Sequence, residues 1–414
     1  MSNALFRSWL HIGEEAYRLP AGLIPVVEAN EKIVMPSTPG YLTQYSNCRR
    51  NGYDPRNTPK LSISTTELRN CLSGEIRSIR ATEKSVLVRQ EKGWVLLRSD
   101  TLGILSQGAL ERGIACGAIN ENGFVWMDNA LDIFDTGGRG TERVRLLLGR
   151  KRGFTDILPI GRRILITGFM APPYIPDMAD PYITYEIFNL DEVSEPDEDS
   201  KLRDAEKVGV IAFYGNRSCL PIFTDSDILL AAQNFIVLTN HALVPIRQAH
   251  LENEIIGISC SKDSSRLWCL ATMGNRCDIS VRDTADLHEV MIISDIGFFP
   301  VCPVLTGPDN ELIVIGDRQM KAWSDEGKTI ISDGFPTGNS GLVFASVMMH
   351  TLLVAAGECI YIWDCQTWER SILPLPSSAT TPVVQSAPGT LLVGTRTGLY
   401  HVASDRGKLR ATAQ

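Results

Sequence analysis

Two charged clusters hold the residues best suited to binding something. The stretch RGTERVRLLLGRKRG, with two more arginines shortly after it, gathers Arg139, Arg143, Arg145, Arg150, Lys151, Arg152, Arg162 and Arg163. A guanidinium presents planar, multiple donors that match carboxylates and phosphates, and arginine is enriched at protein interfaces. The chemistry implied is an anionic or protein contact, set against the plainer reading of a solvated strand face. No aromatic side chains are interleaved, so stacking on a single-stranded nucleic acid is not expected. The second cluster runs from Asp191 to Lys207 and holds eight acidic and three basic residues. Its centre, Asp197, Glu198 and Asp199, follows Pro196. Such a composition reads as a solvated loop or as a docking surface for a basic partner. The alternating acidic spacing of a calcium loop is absent.

Catalytic patterns are missing. There is no phosphate-binding glycine loop ending in Lys-Ser or Lys-Thr, no G-x-S-x-G elbow and no H-E-x-x-H helix. The six histidines, at 11, 241, 250, 288, 350 and 401, are scattered. A trio assembled from distant segments is geometrically open to them, but a lone histidine is more often a surface or satisfied core residue. None of the ten cysteines forms a C-x-x-C pair, and no histidine stands at zinc-site spacing from them. Most sit in apolar runs, such as Cys302 in FFPVCPVL and Cys269 in RLWCLA, which reads as reduced, buried thiols packed as small hydrophobes. No metal and no cofactor is expected.

The elements that must position these residues are short and β-like. Groups of four apolar runs, separated by Gly, Asp, Asn, Ser or Pro turns, recur along the chain. The clearest are EIIGISCS, RLWCLAT, DISVRDT and EVMIIS, then GLVFASVMM, TLLVAAG, CIYIWDC and ERSILPL. A period of about 35 to 60 residues fits four-stranded propeller blades. One blade cannot bury its two faces alone, so blades stack around a ring. The expected fold is all-β, a single β-propeller of four-stranded antiparallel blades, eight in number, with seven or nine as alternatives. Eight groups are well formed. A weaker ninth at the N-terminus (GLIPVVEA, KIVMPST, GYLTQYS, KLSIST) could lend a strand to close the ring. The organisation expected is an N-terminal lead over 1–20 and a propeller over 21–414, with an acidic insertion at about 171–207.

Within this plan one stretch carries a family signature. Gly357-Glu358 followed by IYIWD resembles the third strand of a WD-repeat blade, with Trp363 and Asp364 at its end. Related positions are Trp323 in KAWSD, Arg282-Asp283 in SVRDT and Phe134-Asp135 in DIFDT. The chain is thus similar in plan to a divergent WD-repeat-like β-propeller. The Gly-His pair that opens the family's repeats is missing, so its His–Asp–Trp arrangement is carried over to no blade. Trp363 is expected to pack and Asp364 to hold a turn. SKDSSRLW, Ser261 to Trp268, keeps the Ser, Asp and Trp of an S-x-D-x-G-x-T-W box found in some propeller enzymes, but lacks its Gly and Thr.

The 414 residues carry a net charge of -8, which argues against a whole-protein affinity for nucleic acid or anionic membrane. No run of about 18 apolar residues marks a membrane span. The N-terminus lacks a signal-peptide core, so the cytoplasm is expected, with the nucleus as alternative. The function expected is a non-catalytic scaffold or adaptor that joins one or more proteins in a complex. Its contact residues would be the two charged clusters. The competing expectation is a propeller hydrolase or lyase with its site in the central channel.

Overall fold

The computed structural model describes residues 9–12, 15–18, 63–81, 85–91 and 93–109. It also describes strands within 115–214, and residues 219–404 apart from 220, 225–226, 262, 275, 303, 338–341, 349 and 388–389. Among these residues there is no helix. They form eight sheets, seven of four strands and one of five, together with a two-stranded ribbon of Trp9–Ile12 and Glu15–Arg18. The sheets occupy, in chain order, residues 76–109, 115–147, 153–214, 222–250, 254–293, 305–334, 343–374 and 384–404. Within each, consecutive strands pair antiparallel as up-and-down meanders.

Each sheet is sandwiched between its neighbours, which explains the apolar runs. The second strands of the fourth, sixth and seventh sheets are covered on both faces and read as unbroken apolar segments rather than as an alternation. Leu312–Ile315 (LIVI) and Thr351–Ala356 (TLLVAA) are buried at every position. The outermost strands are covered least. In Glu289–Ile293, three of the five residues are exposed and none is buried.

The cores lie between sheets. Ile183, Tyr185 and Phe213 of the third sheet meet Ile228 and Leu230 of the fourth. Met320 and Ala322 of the sixth meet Val354 and Trp363 of the seventh. The eighth sheet packs against the first through Val384, Leu392, Ile76 and Ile79. The first strands of the first, second and third sheets touch in turn, so the series closes on itself. Burying each large side chain contributes about 1.5–3 kcal/mol, offset by lost chain entropy.

Short side-chain donors link adjacent sheets near their first strands. Cys302 Sγ lies 3.1 Å from the carbonyl of Val343, Cys219 Sγ 3.9 Å from that of Ile255, and Thr380 Oγ1 2.6 Å from that of Ile76. These two cysteines are packed as expected, and each also lends a weak donor. Burial pushes the Cys302 thiol up to about 12.

Closure uses both ends of the chain. The outer strand of the eighth sheet is Ile63–Ser73, antiparallel to Gly398–Ser404. It contains part of KLSIST, the last run of the weak N-terminal group. The other three runs of that group lie outside the described residues, as does KLRATA. Within the span 171–207 assigned to an insertion, Tyr182–Asn189 is the third strand of the third sheet, Ile183 to Phe188 are all buried, and Ile183, Tyr185 and Ile187 belong to the core shared with the fourth sheet. Residues 190–201 lie outside the described residues.

Candidate partner-binding rim

Of the aspartates singled out in the sequence, Asp364 and Asp283 end third strands and are used by turns. Asp364 Oδ1 accepts from the amides of Gln366 (2.8 Å) and Thr367 (3.2 Å), and Asp283 Oδ1 from Ala285 (2.8 Å). Asn240 Oδ1 does the same for Ala242 and Val244, and Ser324 Oγ for Lys328. In each turn a later amide returns to the capping residue's carbonyl: Leu243, Leu287, Gly327 and Trp368. All four adopt positive φ, between 56° and 77°. A left-handed leucine costs about 1–2 kcal/mol, and burial of Leu243 and Leu287 offsets it. Sequence reading found two of these caps and missed the device. Its signal is a polar residue followed three or four places on by Leu, Gly or Trp. In KAWSD the capping residue is Ser324, not Asp325.

Trp363 is a latch between sheets. It is fully buried, and its Nε1–H donates to Asp333 Oδ2 of the sixth sheet at 3.0 Å. Arg370 Nη1 donates to the same oxygen at 3.1 Å and to the carbonyl of Gly334 at 2.5 Å. The Arg370 guanidinium also lies 6.0 Å from the Trp363 ring. Phe335 and Tyr361 complete the cluster around the indole.

The box-like SKDSSRLW is a hairpin turn. Ser261 Oγ donates to Asp263 Oδ1 at 2.5 Å and accepts from the amide of Arg266 at 2.9 Å. Asp263 also accepts from the amide and hydroxyl of Ser265. These bonds, the one from Ser261 first, hold the Asp263 carboxyl below the usual range. Trp268 is buried between the fifth and sixth sheets.

Other candidate groups are dispersed. His250 bonds to Asn234 at 2.7 Å, and His288 pairs with Asp286 at 2.5 Å on the surface. Among the described residues no three His, Cys, Asp or Glu side chains come together as a metal group. Cys359 opens its strand and Cys365 follows it, and neither is in a disulfide.

The charged clusters meet in part. Arg143 and Arg145 lie on Glu142–Leu147, the fourth strand of the second sheet. The strand Leu202–Asp204, from the acidic segment, pairs parallel with it: Arg145 with Leu202, Leu146 with Arg203, Leu147 with Asp204. This makes the fifth strand of that sheet. Arg163 begins the second strand of the third sheet and donates from Nη1 to the carbonyl of His241 at 3.3 Å. Arg139, Arg150, Lys151, Arg152, Arg162, Asp197, Glu198 and Asp199 lie outside the described residues.

Sequence reasoning also missed the rim. The outer strands of the first, fifth, sixth and seventh sheets expose Ile104 and Leu105, Val290 and Ile292, Ile330, and Ile372. Val244 and Ile246 do so at the outer edge of the fourth. Ile104 is 57% exposed and Ile292 54%. In sequence they look like any other apolar strand residue.

No protein-family model matches the sequence, and no curated protein sequence matches it. Solved structures do match in fold. The crystal structure of BamB from Moraxella catarrhalis is 12% identical, with a TM-score of 0.57 over 82% of this chain and 100% of that one. The Dos1 propeller is 9% identical, with a TM-score of 0.58 over 83% of this chain and 96% of that one. A chain of the mitotic checkpoint complex is 9% identical, with a TM-score of 0.51 over 77% and 94%. The chain has the β-propeller fold, and its antiparallel four-stranded sheets fit a divergent WD-like propeller.

Proposed function

We propose that this propeller is a non-catalytic interaction scaffold, a subunit that presents its rim to one or more protein partners in the cytoplasm or nucleus. One observation carries the reading: aliphatic side chains stand exposed on the outer strands of five sheets, including the consecutive fourth to seventh. Single exposed hydrophobes are ordinary. A row repeated along one rim is the kind of surface that a partner covers. The fold gives further support, because loops and open edges on a rigid ring suit binding. Asp263 of the enzyme-like box and the Trp363–Asp364 pair of the WD-like stretch are engaged in turns and in the latch. One of the fold's structural relatives is a chain of the mitotic checkpoint complex. Nucleic acid is not proposed as the main ligand, given the net charge of -8.

The test is co-purification at native concentration, comparing the wild type with a V290D/I292D variant of unchanged circular dichroism. The reading expects a stoichiometric protein partner that the variant loses. A wild-type protein that stays a lone monomer would overturn it.

A further inference from the structure

The second sheet differs from the rest. Among the described residues, the other seven sheets end at their fourth strand, and every other ladder is antiparallel. The second sheet carries Leu202–Asp204 on its outer edge, in the one parallel pairing. This added strand belongs, by chain order, to the third sheet. It lies between Tyr182–Asn189 and Glu206–Tyr214, which pair with each other there. The chain therefore leaves one sheet, adds three residues to the edge of its neighbour and returns.

The pairing joins segments of opposite charge. Residues 139–153 hold six basic residues and one acidic, while residues 191–207 hold eight acidic and three basic. The added strand itself, Leu202–Asp204, carries one base and one acid, so the charge preference comes from the sequence that flanks it. Main-chain bonds give strand addition its affinity, and the flanking residues give it selectivity. Three paired residues make a short contact, one that a longer strand of the same character would outmatch.

We propose that the outer edge of Glu142–Leu147 is a strand-addition site for an extended acidic segment of a protein partner, and that Leu202–Asp204 occupies it in cis. A tethered segment acts at an effective concentration on the order of millimolar, so it suppresses weak ligands and yields to a longer or more acidic one. The inference rests on the scaffold reading only for the existence of a partner.

The experiment needs no native partner, so its failure and that of the scaffold reading are distinguishable. A fluorescein-labelled peptide of residues 197–207 is titrated by anisotropy against the full chain, its L202P variant and L202P carrying R143E/R145E. Proline at 202 removes an amide donor from the added strand. The expected result is at least tenfold tighter binding to L202P than to wild type, lost in the triple variant and at 500 mM salt. An R203P variant, matched to wild type in circular dichroism, replaces L202P if that protein misfolds, since it too removes an amide donor from the added strand. Equal affinity for wild type and the vacated variants would overturn the proposal. So would binding that survives R143E/R145E, or binding to a basic peptide of the same length.

Discussion

The Trp363 latch makes a quantitative prediction. Trp363 and Asp333 are 30 residues apart and belong to different sheets, yet their side chains meet at 3.0 Å. Replacing Trp363 by Phe removes an N–H donor to a carboxylate, worth about 1.5–3 kcal/mol for a charged hydrogen bond. It also weakens the stacking of Arg370, worth about 0.5–1 kcal/mol at an exposed site. Asp333 keeps Arg370 as a partner, so the loss falls at the lower end, and W363F should cost about 2–3 kcal/mol. D333A leaves the buried indole N–H without an acceptor, a cost of about 1–3 kcal/mol. Once either group is gone the other matters less. The double variant should therefore be less destabilised than the sum, with a coupling of about 1–2 kcal/mol. Urea unfolding followed by tryptophan fluorescence and circular dichroism, with the midpoint compared at constant m-value, reads this out. Independent sites add to within about 0.3–0.5 kcal/mol. Additivity at that level would refute the latch and leave Trp363 as packing alone.

Three further outcomes follow from the turns and sheet contacts. Asp263 is held below its usual carboxylate range, so its contribution is present above the unfolded value of about 3.9 and fades as pH falls through the folded one. The stability gap between wild type and D263N, measured by urea at pH 7 and pH 3, should shrink at the lower pH. A Cβ on Gly209 would collide with the Ala242 carbonyl of the fourth sheet. G209A should lower stability by about 2 kcal/mol or more, since backbone must move to admit it, and a calorimetric scan will show it. Ser264 has φ +59° in the Asp263 turn. S264G relieves a left-handed penalty of about 1–2 kcal/mol, against some added freedom of the unfolded chain. The net expectation is a gain of about 0.5–1 kcal/mol in chemical denaturation.

The meander was legible because the signal is local. Runs such as TLLVAA and CIYIWD show their burial directly, and turn residues separate them. The polar cap of Asp364 was legible for the same reason, its partners lying two and three residues on. What escaped reading depends on distance along the chain. The Trp363–Asp333 bond joins two sheets, the closing strand joins 63–73 to 398–404, and Leu202–Asp204 is too short to announce itself. The rim hydrophobes escaped for another reason. Ile292 and Ile279 are alike in composition, and only their place in the ring makes one a surface and the other a core.

The strand that closes the ring sets an order of events during synthesis. Ile76 and Ile79 leave the ribosome before the residues that cover them, Val384 and Leu392 of the eighth sheet. Those partners come roughly 300 residues later, at about 5–20 residues per second. For some tens of seconds the nascent chain carries an uncovered apolar face on its first sheet and a waiting edge strand at 63–73. That interval, rather than the finished ring, is when the protein most needs a chaperone, and a circular permutant opened between two other sheets would move the exposed face elsewhere.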